Sequence, residues 1–159
     1  MKRWLLWFAL APQTFLLAGM LRDLGLPRFD FGALACLYLA FFAQRPALPW
    51  LLLGFAAGRC LVDAASLPVQ LLVLGIPVGV LLPLRALFFG QNWLALLGAA
   101  ALCAAAIPRL AALCGSLFGQ PSMTAVIDLG SMLWTTLLVP PLLWVLRALP
   151  PFAQFEERA

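Results

Sequence analysis

The sequence predicts an all-α integral membrane protein, a compact bundle of six transmembrane helices. Three observations predict it. Of the 159 residues, 65% are hydrophobic and only 10% charged, whereas a soluble domain is nearer half apolar and a quarter charged. The mean hydropathy of +1.04 leaves too little polar surface to face water. The apolar runs are continuous rather than alternating, so they read as helices and not as the strands of a membrane barrel. At about 20 residues per span the length allows roughly six spans and no separate soluble domain. Residues 1–149 read as one transmembrane domain and 150–159 as a short polar tail. The net charge of +4 comes from scattered basic residues, which do not form a nucleic-acid patch.

The spans follow in order. Met1 to Met20 starts with Lys2-Arg3 and runs on as apolar sequence. A cleaved signal peptide has the same pattern, but an uncleaved first span suits a chain that is apolar throughout. Arg22, Asp23, Arg28 and Asp30 mark the first polar loop. Phe31 to Ala43 is a short second span, closed by Gln44-Arg45-Pro46. Trp50 to Ala65 is the third and carries Arg59 and Asp63. Ser66-Leu67-Pro68 turns into a fourth span, Val69 to Phe89, with Pro77 and Pro83 inside. Gly90-Gln91-Asn92 precedes the fifth, which starts at Trp93, reaches Pro108-Arg109 and becomes irregular up to Gln120-Pro121. Ala125 to Leu146 is the sixth, with a late kink expected at Pro140 and Pro141.

Orientation follows from the basic residues. With the N-terminus in the cytoplasm, the inner segments hold Lys2, Arg3, Arg45, Arg85, Arg147 and Arg158, and the outer ones Arg22, Arg28 and Arg109. This bias places both termini in the cytoplasm. Trp4, Trp7, Trp50, Trp93 and Trp144 then fall near the cytoplasmic interface, where indole rings settle, and only Trp134 lies deep.

Charges inside the spans are the unusual feature. Arg59 sits about 14 Å beyond Trp50, close to mid-bilayer. An unpaired arginine there costs at least ~2.5 kcal/mol. Asp63 follows four residues later on the same helical face, so the two can pair. Arg109 lies about 24 Å beyond Trp93, and Asp128 is near the outer start of the sixth span. Arg59, Asp63, Arg109 and Asp128 therefore form a candidate charge network in the outer half. Three readings are open: structural ion pairs, a partner-docking or ligand site, and a proton or ion relay.

Small residues recur four apart at Gly54 and Gly58, Gly75 and Gly79, and Gly115 and Gly119. Such pairs let helix backbones approach closely. The first two pairs read as internal packing of the third and fourth helices. The sequence contains no histidine, which removes imidazole bases and His-ligated metal or haem sites. Cys36, Cys60, Cys103 and Cys114 lack C-x-x-C spacing and behave as small hydrophobes. No phosphate loop or nucleophile elbow occurs, and the serines have no activating base. The expectation is a non-enzyme without cofactor or metal.

The layout resembles the rod shape-determining MreD family. The carrying residues are Phe29-Asp30-Phe31 before a short second span, then Arg45-Pro46, then Trp50 through Gly54 to Gly58 and Leu61-Val62-Asp63 before a tight turn. The last span is similar to the family's closing helix, with Leu138-Val139-Pro140-Pro141 up to Trp144 and Arg147 beyond. The turn Ala64-Ala65-Ser66-Leu67-Pro68 has no glycine where the family often does, and Arg59 is a departure. The resemblance implies a non-enzymatic inner-membrane subunit of the cell-elongation machinery. It would bind MreC, and through it MreB, RodA and the elongation transpeptidase, and help organise peptidoglycan synthesis. Asp63 and Pro140-Pro141 would match family motif positions. A second reading is a substrate-binding subunit of a vitamin transporter of the energy-coupling-factor type. That reading requires a pocket of convergent polar groups, and Tyr38, Asn92 and four glutamines are few to build one. A structural membrane protein of another kind is the third.

Overall fold

Helices account for most of the described backbone. A computed structural model of the protein describes residues 2–23, 29–85, 93–120, 129–149 and 152–155. They form six α-helices: α1 (Lys2–Asp23), α2 (Phe31–Phe41), α3 (Leu48–Cys60), α4 (Leu67–Leu81), α5 (Trp93–Leu117) and α6 (Leu129–Ala148). Single 3₁₀ turns occur at Arg45–Ala47 and Phe152–Phe155. There is no strand among the described residues, so the fold is all-α. Helices α5 and α6 are long and apolar enough to cross a membrane, whereas the apolar stretches Trp4–Leu16, Phe31–Phe41 and Leu67–Leu81 are shorter.

Local chemistry sets most boundaries. Asp30 caps α2 by accepting from Gly32 N at 2.8 Å. Pro49 and Pro68 fall in the first turns of α3 and α4, where a missing N–H costs nothing. Helix α3 stops at Cys60, and 61–65 are turns and bends rather than the end of a span. Helix α4 stops at Leu81 because Pro83 cannot donate back to the helix, so it ends short of the expected Phe89. The expected break at Pro108 does not occur, and α5 runs through it. Proline removes one donor there, and the surrounding groups have no partner in an apolar setting better than their own helix. Gly119, at φ +61°, ends α5. Gln120 N donates to Gly115 O at 2.9 Å and Gly119 N to Ser116 O at 3.5 Å, the double bond pattern of a glycine helix stop. Gly119 is therefore a cap and not half of a packing pair. Pro140 and Pro141 lie inside α6, which continues across them to Ala148.

The topology is an arc of helices around a post. Helix α2 touches α1, α3, α4, α5 and α6. Its residues Gly32 to Phe41 are all buried. Around it run α1, α3, α4, α5 and α6, each packed on the next. The Phe152–Phe155 turn packs on α6 and reaches across to α1. Phe152 and Phe155 are buried in the core, so this part of the tail belongs to the bundle.

An aromatic cluster fills the end where α2 finishes, called here the Gln44 end. The Trp7 ring meets Phe55 at 4.9 Å and Phe152 at 5.0 Å, both edge-on. Tyr38 donates its hydroxyl to Phe152 O at 2.7 Å, and Gln44 N donates to Phe155 O at 2.9 Å. Buried Arg85 donates to Ala43 O at 2.8 Å, a cation on the carbonyl end of α2, where the helix dipole favours it. Arg147 stacks over Phe42 at 4.1 Å. Trp7 is fully buried, so it is a core residue and not the interfacial anchor expected of it.

Of the two glycine pairs, only one makes a close approach. A Cβ at Gly54 would lie 2.5 Å from Trp7 Nε1, and one at Gly58 would lie 2.7 Å from Pro12 Cα. The Gly54–Gly58 face is where α3 meets α1. A Cβ at Gly75 would make ordinary contact with Leu52 at 3.6 Å, and one at Gly79 would meet nothing within 4 Å. Packing of α4 through Gly79 is thus corrected: this glycine faces outward.

Two outcomes test the packing. Gly58→Ala forces the α1 backbone to shift and should lower the stability of the detergent-solubilised protein by about 1–3 kcal/mol; Gly79→Ala should leave the thermal midpoint unchanged. Phe152→Ala should destabilise by roughly 3 kcal/mol, read by the same melts, whereas a free tail would lose nothing.

Candidate functional site

The opposite end of the bundle, where α2 begins, collects polar side chains. Asp30 is its centre. Besides capping α2, Asp30 donates its backbone N–H to Thr135 Oγ1 on α6 at 3.2 Å. Thr135 is buried at 1% exposure and lies nearly two turns into α6. Gly32 also faces Leu74, which lies two turns into α4. The post therefore begins roughly 10 Å below the ends of α4 and α6, at 1.5 Å per residue.

Arg59 reaches this point from the last turn of α3. A Cβ at Gly32 would lie 2.9 Å from Arg59 Nη1 and 2.9 Å from Asp30 Oδ1. The guanidinium and the carboxylate thus face each other across a residue that has no side chain. Only glycine leaves that space. Arg59 Nη1 is buried and has no hydrogen-bond partner among the described residues. The carboxylate of Asp30 is the nearby opposite charge, and it acts through space rather than by a direct hydrogen bond. Cys36 and Cys103 lie close enough to feel the charge of Asp30. Cys36 spends its thiol on Leu74 O, 3.5 Å away.

Asp63 does not pair with Arg59. Its Oδ2 accepts from Gln70 Nε2 at 2.8 Å. The expected pairing fails because α3 ends at Cys60: Asp63 lies in the turn, so the rule that residues four apart share a helical face no longer holds. Asp63 N still donates to Arg59 O at 2.9 Å, through the backbone. Gln70, 1% exposed, therefore holds the carboxylate from α4. Nearby, Ser66 and Gln120 clasp each other: Ser66 N donates to Gln120 Oε1 at 2.8 Å, and Gln120 Nε2 donates to Ser66 Oγ at 2.6 Å. This double bond fixes the α3–α4 turn to the end of α5.

The four-charge network is therefore redistributed. Arg59 belongs with Asp30, and Asp63 with Gln70. Arg109 is exposed on the outward face of α5 and joins neither. Asp128 lies outside the described residues. Asp30, Thr135, Gln70 and Gln120 are the members the charge arithmetic missed. Asp30 alone carries a sequence signal, an aspartate directly before an apolar run, which marks a helix start.

Chemically, the site sets the Arg59 guanidinium and the Asp30 carboxylate on either side of Gly32 inside an apolar bundle, among helix caps and amide clasps. It orders five helix ends relative to each other. Comparisons with protein-family models, with curated proteins and with solved structures found no match to this chain.

Double-mutant cycles test the reassigned pairing. Arg59→Leu should couple to Asp30→Asn by about 1 kcal/mol, read in denaturant unfolding, and to Asp63→Asn by close to zero. Asparagine keeps the cap of α2, so the cycle isolates the charge. Equal coupling to both aspartates would return Asp63 to the pair.

Proposed function

We propose that this chain is a multi-pass membrane protein that acts by binding, as an MreD-like subunit of the bacterial cell-elongation machinery. The observation that carries the membrane part is the outward face. Leu94, Leu102, Leu113 and Leu117 of α5, and Leu129, Leu133, Leu137 and Trp144 of α6, are all exposed. Monomeric soluble proteins rarely expose apolar surface so continuous; hydrocarbon accepts it without cost.

The bundle then lies with its Gln44 end in the cytoplasm. Arg45, Arg85 and Arg147 are at that end, in keeping with the positive-inside rule. Exposed Trp50, Trp93 and Trp144 ring it, as interfacial indoles do. The Asp30 end faces outward. All six helices count as spans in this arrangement. The short ones need not match the full bilayer on their own, since α2 is enclosed by protein and α3 and α4 extend into ordered turns.

A binding role rests on the residues that resemble MreD, and on a site whose polar groups are engaged in holding helices together. The partner by that resemblance is MreC, linked to MreB, RodA and the elongation transpeptidase. The vitamin-transporter reading gains less from the geometry. The groove on the described surface is lined by Leu81, Leu84, Ala95, Gly98, Ala99 and Leu102, an apolar set without the donors and acceptors that orient a vitamin.

Purification of the tagged chain from native membranes in mild detergent decides between them. The expected outcome is stoichiometric recovery of MreC, and loss of rod shape when the chain is depleted. Recovery of transporter ATPase subunits, or of a bound vitamin, overturns the proposal.

A further inference from the structure

The outward face of α5 carries one residue that lipid does not explain. Arg109 is exposed, and among the described residues it makes no ion pair or hydrogen bond through its side chain. It sits inside an apolar stripe. Leu102 lies two turns before it and is 64% exposed; Leu113 and Leu117 lie one and two turns beyond and are 56% and 72% exposed. Residues four and seven apart share a helical face, so all four point the same way. Apolar surface thus continues for about 12 Å past Arg109 towards the Asp30 end, at 1.5 Å per residue. A guanidinium at that depth, facing hydrocarbon, is costly unless a counter-charge meets it.

The same face is hollow next to Arg109. Between α4 and α5 runs the apolar groove, and Gly98 and Ala105 lie on its floor. Ala105 is one turn from Arg109. A Cβ at Gly98 would meet nothing within 4 Å, so no described residue fills the space above it. Small residues beside an open groove let a helix backbone come close.

We propose that the α4–α5 groove is the docking site of a single transmembrane helix from a partner protein, and that this helix carries an Asp or Glu that pairs with Arg109. The groove supplies close backbone packing, and the ion pair sets the depth of the partner helix. A second copy of this chain fits less well, because a symmetric contact centred on this face brings Arg109 against Arg109. The inference rests on the reading of the chain as a membrane-embedded binding subunit, but not on the identity of the partner.

The test uses synthetic helices in place of the partner. The full-length protein, labelled with an acceptor dye, is reconstituted in phosphatidylcholine vesicles with donor-labelled Leu/Ala transmembrane peptides. One peptide carries a single Glu at the depth of Arg109, and its control carries Leu there. The Glu peptide should associate about tenfold more tightly than the control. That preference should vanish in Arg109→Leu, and both peptides should lose affinity in Gly98→Trp, which fills the groove. Both substitutions are at exposed positions, and thermal melts of each variant confirm that it folds. Equal binding of the two peptides, or a preference that survives Arg109→Leu, overturns the proposal. So does Arg109-dependent retention of phosphatidylglycerol with no Glu preference, which would assign the residue to a lipid phosphate. Either result leaves the MreC purification standing, and failure of that purification leaves the peptide result standing.

Discussion

Enclosure of α2 is the constraint on which the structure depends. A helix of 11 residues, buried from Gly32 to Phe41, must meet protein on every side. Five helices flank it, and the chain supplies them in sequence order, with the Phe152–Phe155 turn bridging α6 to α1. Each end of the post also needs polar partners, since four donors and four acceptors remain unused there. Asp30 serves the first end from within the chain's own turn. Arg85 serves the last end from the segment after α4. The two ends of α2 thus recruit opposite charges, as its dipole requires.

Those two ends are built differently. The Gln44 end is aromatic and closed, with Trp7 at its centre and the Phe152–Phe155 turn as its plug. The Asp30 end is polar and recessed, with Arg59 held over the missing side chain of Gly32. In the proposed orientation the closed end faces the cytoplasm and the recessed end faces out. Opposite charges set close together at the recessed end favour one pairing of helix faces, a task that apolar contacts between interchangeable leucines perform poorly.

Close packing and open packing also divide the molecule. The α1–α3 contact runs through Gly54 and Gly58 and leaves no room for a methyl group. The α4–α5 groove keeps Gly98 with no described residue against it. The same residue type is a filled interface in one place and an open one in the other. Arg109 lies beside the open one.

Composition and local pattern determined that the chain is helical, and that the second and fourth helices start beside Asp30 and Pro68. Continuous apolar runs leave no other backbone solution, and caps act within a few residues. Only the tertiary structure decided which faces are inside. In such a chain the core and the outward surface are equally apolar, so periodicity does not tell Trp7, fully buried, from Trp144, fully on the surface. Arg59 was legible as an intramembrane charge; its partner was not, because the end of α3 at Cys60 moved Asp63 off the helix and a residue 29 positions upstream took its place. The burial of Phe152 and Phe155 was hidden for the same reason: long-range contacts, not local spacing, carry them into the core.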